Sequence, residues 1–231
     1  MNYNGAFNPK YLSGTQLYFA KNTASVSSWN DQSPNGYNLS QAVALQQPTI
    51  GTNSVDFVPN EFMSRTGNIF GSDTQGIIFF SGYITSGLGG NFISKGTSTT
   101  NNNFFYIQKS GVSNKIQIIF RNTSLSFNNV FETNDTFGTG FIYGYIQSDG
   151  SSYTLSVNGV IRAVTFVTGS NTGGWFSSMD ATDRLSSGAL IRLIPLYTTI
   201  GINKIYYNNG TLSTSDLWKT EQFFANPLNY D

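Results

Sequence analysis

The chain has 231 residues, with 12 basic and 12 acidic side chains, no His and no Cys. The missing thiols and imidazoles exclude a disulfide framework, a zinc finger, an iron–sulfur site, a Ser-His-Asp triad and a His-ligated metal. Zero net charge argues against nucleic acid as a partner, since that selects a basic face, and a charged fraction of only 10% leaves weak electrostatic protection against association.

The opening Met1-Asn2-Tyr3-Asn4-Gly5 lacks the basic patch and apolar run of a signal peptide, so the chain is expected to fold where it is made. Residues 1–14 read as an arm or as a first strand, with Tyr3, Phe7, Tyr11 and Leu12 as its apolar contacts; residues 15–231 read as one domain. Strands are expected at Thr15–Ala20, Ser54–Val58 and Ile77–Ile84, the last a continuous apolar run suited to burial on both faces. Apolar stretches such as Gly76–Phe80 are too short to cross a bilayer, and no membrane insertion is expected. Asn101-Asn102-Asn103 is read as a polar loop; Phe104–Lys109 and Lys115–Arg121 form a hairpin around Ser110-Gly111.

Phe141–Gln147 is the next strand. Asp149-Gly150 and Asn158-Gly159 supply residues that accept positive φ, so Tyr153–Val157 lies between two tight turns and Val160–Val167 returns antiparallel. Ala189–Ile194 and Thr199–Tyr207 complete the strands. A single helix follows Leu212, with Ser213 as N-cap, Asp216 three residues on, and Pro227 as the stop. Leu217, Trp218, Phe224 and Ala225 are expected on its buried face. The fold class is therefore all-β, an antiparallel β-sandwich with one short C-terminal helix.

Three groups of residues carry a resemblance to a known superfamily. The first is Leu17-Tyr18-Phe19-Ala20, then Val26-Ser27-Ser28-Trp29-Asn30-Asp31-Gln32-Ser33-Pro34-Asn35-Gly36, with Gln47-Pro48 ahead of Val55-Asp56-Phe57. The second is Tyr153–Gly159. The third is Ile200–Asn208 with Leu212-Ser213 and the helix, where Asp216 replaces the usual Glu. In this order they resemble the laminin G-like branch of the concanavalin A-like lectin/glucanase superfamily. The resemblance implies a jelly roll of two curved sheets. It implies little about function, because that fold carries lectins, hydrolases, adhesion modules and virion proteins alike.

Glucanases of that superfamily align two or three carboxylates on one strand, and no such array exists here. The nearest acidic pairs, Glu132 with Asp135 and Asp180 with Asp183, read as loop acids, so no catalysis is expected. Asp31 is read as a turn-holding residue with Trp29 packed beneath it. Trp175, after two glycines, is the candidate sugar platform, with core or interface packing as the favoured rival reading. No cofactor is expected, with calcium as the alternative, since lectins of the fold it resembles often bind it: Asp180, Thr182 and Asp183 offer two carboxylates and a hydroxyl, but calcium takes about six to eight oxygens and the spacing is not that of a known calcium loop.

The expected role is a non-enzymatic structural protein of a bacteriophage virion, a head-decorating protein or tail-associated knob. It would contact other virion proteins and its own copies and be located in the particle. The alternative is a carbohydrate-binding, lectin-like module. Low charge, abundant Asn, Ser, Thr and Gly, and a fold usually found outside cells in a chain with no export signal favour the first. Trp175, Asp180 and Asp183 would carry the second.

Overall fold

The computed structural model describes residues 7–85, 89–124, 126–182, 184–190, 196–197 and 199–228. In chain order its strands are β1 (Thr15–Ala20), β2 (Ser28–Trp29), β3 (Leu39–Ser40), β4 (Thr49–Ile50), β5 (Val55–Phe57), β6 (Met63–Thr66), β7 (Gly76–Ile84), β8 (Gly90–Gly96), β9 (Asn103–Lys109), β10 (Ile116–Asn122), β11 (Phe127–Thr133), β12 (Gly140–Ser148), β13 (Tyr153–Val157), β14 (Val160–Ile161), β15 (Val164–Thr168), β16 (Arg184–Ser187), β17 (Ala189–Leu190), β18 (Leu196–Tyr197) and β19 (Ile200–Asn208). The helix α1 spans Thr214–Ala225.

Two antiparallel sheets form the sandwich. The first runs β14-β13-β12-β7-β19-β5-β4, with β1 also paired to β19; the second runs β15-β11-β10-β9-β8-β16-β6-β3-β2. The face between them is lined by alternating apolar side chains, as period-2 patterning requires. Ile78 and Phe80 of β7, Phe105 and Ile107 of β9, Ile118 and Phe120 of β10, and Ile205 and Tyr207 of β19 join one core cluster.

The opposite face of the first sheet is covered by α1. Ile77 and Phe79 of β7, Tyr18 of β1, Tyr145 of β12 and Tyr206 of β19 meet Phe223 and Phe224 of the helix. Strand β7 is thus apolar on both faces because it has two layers to satisfy. Ser213 accepts a hydrogen bond from the Asp216 backbone N–H at 3.1 Å, and its hydroxyl donates to the Asp216 carboxylate at 2.7 Å. Asp216 therefore returns its bond to the Ser213 hydroxyl. The buried stripe of α1 is Thr220, Phe223 and Phe224, flanked by Leu217, while Trp218 is 61% exposed. The expected face needs this correction, since Trp218 lies almost opposite the stripe at 100° per residue.

The turn at Asn158-Gly159 has positive φ at both residues, 52° and 76°, as a two-residue hairpin demands. The return strand is shorter than expected. Val160–Ile161 pairs with β13, whereas Val164–Thr168 has crossed to pair with β11 in the other sheet. Arg162 stands at the crossover: its guanidinium donates to the Val157 carbonyl and pairs with Asp135 at 3.0 Å. The expected strand at Ala189–Ile194 is described only as Ala189–Leu190; residues 191–195 lie outside the described set.

Candidate functional site

Trp175 is fully buried and is not a platform. Its indole N–H donates to the Tyr207 hydroxyl at 3.1 Å, and its ring lies 5.3 Å from Phe120 and 5.2 Å from Phe176. The two glycines before it serve close approach rather than display. Gly173 has φ of +62°, and a Cβ there would collide with the Ser151–Ser152 backbone; one at Gly174 would collide with the Phe127 ring. Ser148 and Tyr153 donate their hydroxyls to the Gly173 and Gly174 carbonyls, pinning the segment so that it inserts Trp175 into the core.

Asp31 holds its turn, as read from the sequence. One carboxylate oxygen accepts the Tyr18 and Ser33 backbone N–H groups, both at 2.9 Å, and the other accepts from the Ser33 hydroxyl and the Tyr37 N–H, both at 2.7 Å. Trp29 is buried below, donating to the Ala20 carbonyl at 2.7 Å. Glu132 is on strand β11, not in a loop, and forms an ion pair with Lys115 at 2.9 Å. Asp183 and Tyr3 lie outside the described residues. Phe7 packs edge-on against Phe223 at 6.4 Å, and Leu12 joins the same cluster, whereas Tyr11 is 79% exposed.

Asp180 lines an open hollow of about 380 Å³, together with Thr97, Thr100, Asn102, Asn103, Thr123, Ser124 and Ala181. Three connections build it: the turn between β8 and β9, the turn between β10 and β11, and the segment leading into β16. They converge because β8, β9, β10 and β11 form a meander, so alternate turns fall at one end of the sheet, and β16 lies beside β8.

Asn103 ties these connections together. Its amide nitrogen donates to the Thr97 hydroxyl at 3.1 Å and to the Asp180 and Ala181 carbonyls at 3.1 and 3.2 Å. The Ser124 hydroxyl donates to the Asp180 carboxylate, and the Thr123 backbone N–H donates to the Asn102 carbonyl at 3.1 Å. Asn103 is only 6% exposed, yet its Oδ1 accepts no hydrogen bond. That oxygen is enclosed by protein, so its missing bond is a cost carried by the fold.

The sequence reading picked Asp180 but missed Asn103, Thr97, Thr100, Thr123 and Ser124. The available signal was the pairing of two Asn/Thr/Ser-rich turns separated by one full hairpin, which places them side by side. It was lost because β11 was not recognised as the strand following the second turn. A smaller hollow, about 210 Å³, is lined by Lys109, Asn114, Thr136, Phe137, Gly138 and Thr139. The described residues contain no group of three or more acidic side chains placed to hold a metal. No described helix is long and apolar enough to cross a membrane.

The frame is a β-sandwich, and its fold is similar to that of several solved structures. A carbohydrate-binding module (CBM40) from a Ruminococcus gnavus IT-sialidase aligns with a TM-score of 0.56 at 16% identity, over 68% of this chain and 97% of that one. A structure of that module bound to α2,3-sialyllactose aligns with a TM-score of 0.55 at 18% identity, over 65% of this chain and 83% of that one. A Trypanosoma rangeli sialidase aligns with a TM-score of 0.61 at 8% identity, over 89% of this chain and 32% of that one. No family model matches the sequence, and no curated protein matches it.

Proposed function

We propose that this chain is a non-catalytic carbohydrate-binding module and that the hollow at Asp180 is its binding site. The observation that carries the reading is the hollow itself, whose described lining is almost wholly hydroxyls and amides around the carboxylate of Asp180. Sugar hydroxyls both donate and accept, so they match a wall of Thr, Ser and Asn side chains with a carboxylate among them. The neighbours in fold support the same class, since R. gnavus CBM40 structures hold α2,3- and α2,6-sialyllactose. These neighbours favour the lectin alternative over the virion role expected from sequence.

The reading is tested by screening the purified chain against immobilised glycans, with Asp180→Ala beside the wild type. Specific retention of one glycan class by the wild type, reduced at least about tenfold in the variant, is the expected result. Retention unchanged in Asp180→Ala would move the site elsewhere, and no retention by a folded wild-type chain would remove the function.

A further inference from the structure

We infer that the hollow at Asp180 takes a neutral sugar and discriminates against a sialylated one. The inference rests on the glycan-binding reading of this hollow and adds its specificity. Of the eight described lining residues, Asp180 alone carries a charge, and it is negative. The other walls are the Thr97, Thr100 and Thr123 side chains, the Asn102 and Asn103 amides, Ala181, and Ser124, whose hydroxyl lies between the Asp180 carboxylate and the Asn122 Oδ1.

These groups divide into acceptors and dual-role groups. Asp180 is acceptor-only and exposed, while the Asn103 amide nitrogen is already engaged by Thr97, Asp180 and Ala181. The ligand best suited to an acceptor-only carboxylate is one that donates to it, such as a sugar hydroxyl. A sialic acid carboxylate only accepts. It would meet the Asp180 carboxylate with no Lys or Arg among the described lining residues to offset the repulsion. The hollow lined by Lys109 is a separate one and shares no described lining residue with it.

The test uses the whole chain and matched glycans: a panel of immobilised neutral oligosaccharides and their α2,3- and α2,6-sialylated counterparts, followed by titration of the best-bound neutral member and its sialylated form. The neutral form should bind at least about tenfold more tightly, and Asp180→Asn, which keeps shape and removes charge, should narrow that ratio by about tenfold. Thermal unfolding of the variant controls for folding. A sialylated form bound as tightly as the neutral one, and lost in Asp180→Ala, would overturn the specificity and leave glycan binding standing. A ratio that Asp180→Asn leaves unchanged would also overturn it. A folded wild-type chain that retains no glycan would overturn both readings.

Discussion

Trp175 donates its indole N–H to Tyr207, and the Tyr207 hydroxyl donates in turn to the Asp73 carboxylate at 2.6 Å. Removing the indole empties a fully buried volume and breaks that chain, so Trp175→Ala should cost about 3–5 kcal/mol in urea unfolding. A variant as stable as the wild type would show that the segment does not pack as described. Lys95 sits close by, 2% exposed, its ammonium 4.3 Å from the centre of the Phe176 ring and 5.5 Å from that of Phe70. Burial lowers its pKa to about 7, and the Asp73 carboxylate opposes that shift. Lys204, also buried, is lowered to about 7 by burial. Between about pH 7 and the ordinary lysine value near 10.5, the unfolded chain binds more protons at these two sites than the folded one. Stability should therefore rise with pH through that window. Tyr145 and Tyr153 are raised to about 12 by burial, so above about pH 10 the unfolded chain loses protons first and stability should fall again. Melting temperatures measured from pH 6 to 11 should peak on the alkaline side of neutrality. Lys95→Met should raise the value at pH 6 more than at pH 10, and equal effects at both would refute the assignment to Lys95.

At the level of the element, α1 is held at both ends. Ser213 caps its start, while Lys204 donates to the Phe223 and Asn226 carbonyls at its close, at 3.4 and 2.6 Å. Ser213→Ala should cost about 1 kcal/mol, read as a lower melting temperature, whereas Trp218→Ala on the exposed face should stay within about 0.5 kcal/mol. Strands whose side chains alternate cleanly were legible: β1 and β13 match their expected ends, and β7, β9, β10, β12 and β19 differ by a residue or so. Strands β8, β11 and β16 were not, for a common reason. Their positions carry polar groups bonded to neighbouring segments, which erases the hydropathy alternation; in β11, Asn129 donates to the Tyr153 hydroxyl at 3.1 Å and Glu132 pairs with Lys115. Ser94 and Ser186 share a hydrogen bond at 2.8 Å and both reach the Ala189 carbonyl, while Ser187 donates to the Phe92 carbonyl at 2.8 Å. The candidate hollow was hidden by the same gap, because its two turns become neighbours only once β8 and β11 are placed.

At the level of the whole molecule, β19 occupies the middle of the first sheet although it is the last strand of the chain. It pairs with β7 along most of its length, with β1 through Ala20, and with β5 through Ile200–Ile202. Such distant pairings are slow to form, and refolding from urea should take milliseconds to seconds rather than microseconds. Trp29 and Trp175, both fully buried, are suitable fluorescence reporters once the exposed Trp218 is replaced by Phe. A microsecond phase carrying the full amplitude would contradict the topology. The same arrangement has a consequence during translation. Until residues 200–208 leave the ribosome, β1, β5 and β7 present unpaired backbone edges, so the nascent chain stays prone to association until β19 has been made.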